Sequence, residues 1–125
     1  MAQEEKELLL KDLSSRLPYG IMCHANEINL DGELLFINKV YNIVAIYNDK
    51  STGKFDTCPI ADIKPYLRPM SSMTDEEKID YQAFFNYDGV EYPDEYIDWL
   101  NKNMFDYRGL IEKGLALEAP EGMYN

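Results

Sequence analysis

Residues 63–78 read IKPYLRPMSSMTDEEK, and the understanding of this stretch decides the fold. Pro65 and Pro69 are followed by Ser71-Ser72 and then by Asp75-Glu76-Glu77. Three readings compete: a linker between two domains, a proline-rich binding motif, or a stiff joint inside one domain. A flexible linker would be richer in Gly and Ser and poorer in Tyr and Leu. A PxxP ligand has two residues between its prolines, whereas three separate Pro65 from Pro69. The spacing therefore favours a joint over 60–73. Ile60 and Ile63 suggest a short helical turn at 60–64, and Tyr66 and Leu67 pin an extended segment after it.

The joint delivers the chain to a well-marked helix start. Thr74 and Glu77 stand in capping-box register, each able to satisfy one orphan N–H, with Asp75, Glu76 and Glu77 at the positive end of the helix dipole. The pattern predicts a helix over 75–87 that buries Ile79, Ala83 and Phe84 or Tyr87, and ends at Asp88-Gly89. Tyr92-Pro93-Asp94-Glu95 then opens a helix over 93–103, with proline at its first position and Tyr96, Trp99 and Leu100 on one face. In the tail, 104–125, Asp106 caps a helical turn RGLIEK that Gly114 closes. LALE adds one edge strand, and Pro120 and Gly122 break the end.

Upstream, QEEKELLLKDLSSR (3–16) reads as a helix with Leu9, Leu10, Leu13 and Leu17 in one stripe, stopped by Leu17-Pro18. From 19 to 59 the chain turns β-rich, with Ile, Val, Phe and Tyr between turn signals. LDGE (30–33) reads as an Asp-Gly turn and NDKSTGK (48–54) as a longer one. The run between them exceeds a single ordinary strand, so a break at Asn38-Lys39 predicts strands near 33–37 and 40–47. The whole is an α+β domain over 1–125: an N-terminal helix, about four strands forming a small antiparallel meander or an SH3-like partial barrel, and two C-terminal helices.

Size and composition agree with one core. The chain has 125 residues, 46% of them apolar and 13% aromatic, too rich for disorder despite a net charge of −11. No apolar run is long enough to span a membrane, and the start MAQEEKELLLKDL lacks the basic and apolar parts of a signal peptide. Cys23 and Cys58 make no disulfide framework. The expected setting is the cytoplasm, with both thiols reduced. Charge is uneven: residues 1–69 carry ten acids and eight bases, residues 70–125 thirteen acids and four bases. That balance argues against direct nucleic-acid binding, which needs clustered cations. The acidic half is either a solubilising face or a surface for a basic protein partner.

Signals for chemistry are sparse. Cys23 adjoins the one histidine, His24, but neighbours on a strand point to opposite faces and cannot form a dyad. No metal-site spacing and no phosphate-binding glycine loop occurs. Segment 48–56 begins like a calcium loop, but Lys50 spoils it. The reading is of no cofactor and no metal. Asp98 beside Trp99 and Asp106 beside Tyr107-Arg108 are the carboxylates whose aromatic neighbours could shift their ionisation.

Two stretches carry a resemblance. DLSSRLPYG (12–20) matches a recurrent opening D-L-x-x-R-L-P-Y-G, and KPYLRPMSSMT (64–74) with DYRGLIEKGLALEAPEGMY (106–124) matches its C-terminal companion. These are similar to a family of small proteins of anaerobic gut bacteria, many carried on prophages and other mobile elements. The resemblance covers both ends of the chain and implies a mobile-element, cytoplasmic setting; it implies no reaction and no residue role.

Two functional expectations follow. One is a non-enzymatic protein-binding module acting through an acidic and aromatic surface, with Tyr19, Tyr41, Tyr66, Asp94, Glu95, Asp98, Trp99, Tyr107 and Arg108 as contact candidates. The other is a small hydrolase using paired carboxylates in a concave site.

Overall fold

The computed structural model describes residues 1–86, 89–90 and 93–124. It is an α+β fold. Helix α1 (Gln3–Arg16) precedes strands β1 (Met22–Ala25), β2 (Leu30–Asn38), β3 (Ile43–Asp49), β4 (Lys54–Pro59) and β5 (Ile63–Leu67). Helix α2 (Asp75–Ala83), the short pair β6 (Phe85–Asn86) and β7 (Gly89–Val90), helix α3 (Pro93–Lys102) and strand β8 (Leu117–Glu118) complete it. The main sheet has six strands in the order β4-β3-β2-β1-β5-β8, all antiparallel except the β5–β8 pair. Strands β1 to β4 form the expected meander. The sheet is open and does not close on itself.

The expected joint is itself a strand. β5 lies inside the sheet, between β1 and β8, so the proline stretch is part of the scaffold rather than a connection between two parts. The register shows why Pro65 is tolerated there. Asn26 N–H donates to the Asp62 carbonyl at 3.2 Å, which makes His24–Lys64 a hydrogen-bonded pair and Cys23–Pro65 a non-bonded one. The missing donor of Pro65 therefore points away from β1, and β8 pairs only with Tyr66 and Leu67. The next pair up, Met22 with Tyr66, should be bonded again. There the strands splay and the Tyr124 hydroxyl fills the gap, accepting from Met22 N at 3.0 Å and donating to the Tyr66 carbonyl at 2.7 Å.

Three other boundaries differ from expectation. LDGE lies within β2; the hairpin turn comes earlier, at 26–29, where Asn29 takes a positive φ of 48°. Gly32 is required for close approach instead: any Cβ there would run into the Tyr47 carbonyl oxygen. The break after Asn38 is real, but residues 39–42 form the turn and β3 starts at Ile43. Asn38 Oδ1 accepts from Val40 N and Tyr41 N, holding that turn. Helix α2 stops at Ala83 and buries none of its residues; Ile79 is 67% exposed, not core. Tyr87, Asp88 and Tyr92 lie outside the described residues.

One hydrophobic cluster joins α1 to the sheet and to the tail. It contains Leu9 and Leu13 of α1, Cys23, Ile46 and Ile63 of the sheet, and Met104, Leu110 and Leu115. Among these is a buried polar knot. Asp12 and Arg16, one helical turn apart, are both fully buried, with Arg16 Nε 3.0 Å from Asp12 Oδ2. Arg108 Nη1 adds a second contact to Asp12 Oδ1 at 2.7 Å, and Arg16 Nη2 donates to the Phe105 carbonyl at 2.7 Å. Tyr107 lies beneath both guanidinium groups, 5.3 Å from that of Arg16 and 4.6 Å from that of Arg108. Asp106 caps the following turn as expected, accepting from Leu110 N and Ile111 N at 2.8 and 2.9 Å, and Gly114 closes it at φ 74°. The knot thus ties DLSSR of the opening motif to DYR of the closing one.

Candidate functional site: the acidic aromatic face of α2 and α3

The face is built outward from Arg68, at the end of β5. Its backbone bonds to the segment after α3, with Arg68 N donating to the Met104 carbonyl at 2.7 Å and Asp106 N donating to the Arg68 carbonyl at 2.8 Å. Its guanidinium lies 4.3 Å from the Phe105 ring centre and reaches Glu77 with both outer nitrogens, at 2.8 and 2.6 Å. Glu77 also completes the predicted capping box, accepting from Thr74 N at 2.9 Å while its own N–H donates to Thr74 Oγ1 at 3.2 Å. The Arg68 bond holds the Glu77 carboxyl down at about 2, below its ordinary 4.5, against a smaller opposing effect of burial. One arginine thus clamps the start of α2 to the core.

Rings carry the attachment further. Trp99 of α3 stacks on Phe105 at 5.5 Å and meets Phe84 at 6.0 Å and Tyr81 at 6.4 Å. Tyr96 touches Phe84, Phe85 and Tyr81 at 5.7, 5.4 and 5.8 Å. Burial and the Tyr81 hydroxyl push the Tyr96 phenol up to about 12, so it stays a neutral donor across the physiological range. Only Phe105 of these rings is fully buried. Phe85 is 40% exposed and Ile97 37%. Asp75, Glu76 and Asp80 of α2 and Asp94, Glu95 and Asp98 of α3 are all exposed. Residues 75–102 hold nine acids and two bases. The ion pairs among the described residues use Asp12, Asp31, Glu33 and Glu77, and none uses the exposed acids of α2 and α3.

Of the residues singled out from the sequence, Asp94, Glu95, Asp98 and Trp99 come together here, on α3. The others do not join them. Tyr19 is in the turn after α1 and 39% exposed; Tyr41 is on the β2–β3 turn and 75% exposed. Tyr107 and Arg108 belong to the buried knot, where the Tyr107 hydroxyl donates to Asn101 Oδ1 at 2.8 Å. Tyr66 is on the sheet, with its hydroxyl 2.8 Å from Asp31 Oδ1, the same oxygen that His24 Nδ1 meets at 2.8 Å. That carboxylate and burial, the latter the larger cause, push the Tyr66 phenol up to about 12. Cys23 and His24 do point apart: the thiol is buried, and burial drives its ionisation far out of reach, while His24 faces Asp31. Sequence reading does not find Tyr81 and Phe84 as partners of Trp99, or Phe85 as a partner of Tyr96. For Phe84 and Phe85 the available signal is the AFF run at 83–85, of which the sequence reading places Ala83 and Phe84 in the core.

Two settings bear on the expectation of paired carboxylates. A hollow of about 370 Å³ lies between Arg68, Thr74 and the tail, and both of its acids besides the chain's backbone, Glu118 and Glu121, are exposed. Asp106, the other carboxylate considered, spends both oxygens on backbone N–H groups. Among the described residues no helix is long and apolar enough to cross a membrane, and no cluster of His, Cys, Asp and Glu suits a metal ion. No family model, curated protein or solved structure matches this chain.

Proposed function

We propose that this chain is a non-enzymatic docking module whose α2–α3 face receives a basic, amphipathic segment of a partner protein. The observation that carries the reading is the state of α2: a nine-residue helix with no fully buried residue, which presents Ile79 to solvent one turn after the exposed Asp75 and Glu76. Ile79, with the exposed Phe85 and Ile97 of the same region, would supply the buried contact of an interface, and the surrounding acids the rim that selects a cationic partner. A helix laid across two others with its apolar side down fits that geometry. The resemblance of the two terminal motifs to proteins of prophages and mobile elements supports a host or phage protein as the partner, met in the cytoplasm.

Trp99 is the only tryptophan, so its fluorescence reports on the face itself. Titration with a helical Leu/Lys amphipathic peptide should shift Trp99 emission and saturate, and a scrambled peptide of the same composition should not. Neutralising Asp94, Glu95 and Asp98 together should abolish the response to the ordered peptide. Equal responses to the ordered and scrambled peptides, or an unchanged response in the triple variant, would rule the reading out. Copurification from the native host followed by mass spectrometry then names the partner.

A further inference from the structure

A second surface lies at the opposite end of the sheet. β4 is an edge strand, and among the described residues nothing pairs with its outer side. Which of its backbone groups are free follows from one bond. Ile60 N donates to the Asn42 carbonyl at 2.9 Å, in step with the β3–β4 register. Bonded and non-bonded pairs alternate, so Cys58–Val44 and Asp56–Ile46 are the bonded pairs. The N–H and C=O groups of Phe55 and Thr57 therefore point to the open edge, together with the carbonyl of Pro59. Proline stands where its missing donor costs the β3–β4 ladder nothing. Phe55, 48% exposed, meets Phe36, 37% exposed, edge to face at 5.8 Å on the outer side of this edge.

We propose that this edge pairs with the same edge of a second copy of the chain, antiparallel about a two-fold axis at Phe55. The sequence of β4 selects that register over its neighbours. With Phe55 opposite Phe55 of the other copy, Lys54 faces Asp56 twice, once on each side of the axis. Those charge pairs fall at non-bonded positions, where side chains approach most closely. Lys54 is exposed, and among the described residues it takes part in no ion pair. Asp56 gives one oxygen, Oδ2, to Asn48 Nδ2 at 2.8 Å, and its other oxygen is left for a lysine. Shifting so that the axis lies at Asp56 sets two like charges face to face, which is repulsive. Shifting further, to an axis at Thr57, puts Phe55 opposite Pro59 at a bonded position, where the proline cannot donate. In the favoured register the outer face gains a contiguous group of phenylalanines from both copies, and the two sheets become one.

The test uses the intact chain and two single-cysteine positions. Under mild oxidation Phe55→Cys should give a disulfide-linked dimer, because residue 55 meets itself across the axis. Thr57→Cys should give none, since its two copies stand about 13 Å apart along the strands. The native Cys23 and Cys58 are buried and serve as the background control. In sedimentation, the unmodified chain should dimerise with rising concentration. Lys54→Glu or Asp56→Lys alone should weaken the dimer about tenfold or more, and the two together should restore it. Thr57→Pro removes an edge-facing donor and should abolish dimerisation while the melting temperature of the monomer holds. A monomer at every concentration, crosslinking at Thr57→Cys rather than Phe55→Cys, or no rescue by the double charge swap would each overturn the proposal.

Discussion

The knot around Asp12 and the face on α2 and α3 treat polar and apolar groups in opposite ways. In the knot, two charged residues of α1 are fully buried, and their hydrogen bonds go to one another, to Arg108 and to a backbone carbonyl. On the face, Ile79, Phe85 and Ile97 stand in solvent among acids, and α2 has no fully buried residue. The first region spends its polar groups on holding the two ends of the chain together. The second is held by one arginine and a stack of rings, and its outward side is exposed. Stability and recognition should therefore separate cleanly on mutation.

The largest loss is expected in the knot. Asp12→Ala strands the fully buried Arg16 guanidinium and releases Arg108, and removal of one member of a buried ion pair costs about 3–5 kcal/mol. Urea unfolding followed by far-ultraviolet circular dichroism should show that loss, with many molecules unfolded at 37 °C. A midpoint close to that of the parent protein would mean the knot holds nothing together. Arg68→Met comes next, at about 1–2 kcal/mol, because it removes a charge-assisted bidentate bond and the cover over Phe105. The loss should be local, with faster amide exchange in α2 than in β2 and β3.

The same clamp gives a pH dependence of known sign. Glu77 has its carboxyl depressed to about 2 from an ordinary 4.5, so its contribution is complete above the ordinary value and fades as pH falls from there toward 2. Trp99 emission should follow α2 loosening in that window, and Glu77→Gln should remove the step. A step that persists in Glu77→Gln would assign it to another acid.

Legibility divides along the same boundary. Elements with strong local chemistry were readable: α1 from its leucine stripe, the Thr74–Glu77 box, the proline start of α3, the Asp106 cap and Gly114. What failed depended on long-range partners. β5 reads as a joint because its prolines are judged without knowing which ladder positions are silent. Gly32 reads as a turn because sequence does not show the Tyr47 backbone lying against it. The buried pair on α1 was visible only as Asp12 and Arg16 four apart within a leucine stripe, a pattern equally suited to an exposed helix pair. For the candidate site, Asp94, Glu95, Asp98 and Trp99 were within reach because they share one helix. Ile79, Ala83 and Phe84 read as inward, since periodicity tells which residues share a helix side and not whether that side is covered; Ile79 and Ala83 are exposed.

Two smaller effects sharpen the contrast. Tyr124→Phe keeps the ring in place but removes the hydroxyl that links Met22 N to the Tyr66 carbonyl, leaving both unpaired at the top of the β1–β5 ladder. The expected cost is about 1 kcal/mol, seen as a drop in the urea midpoint with no change in its slope. An unchanged midpoint would mean that water replaces the hydroxyl at no cost.

The smallest stability effect belongs to Ile79→Ser, on the outer side of α2. The side chain is 67% exposed and lies in no buried cluster, so the change should fall within about 0.5 kcal/mol in either direction. Yet Ile79 is the most exposed apolar group of the proposed docking strip, and the Trp99 response to the Leu/Lys peptide should weaken at least about tenfold, as expected for truncating an interface anchor. Asp12→Ala should behave in the reverse sense, with the surviving folded fraction retaining its peptide affinity. If Ile79→Ser destabilises the fold as much as it weakens binding, α2 is part of the core after all, and the separation between the two regions fails.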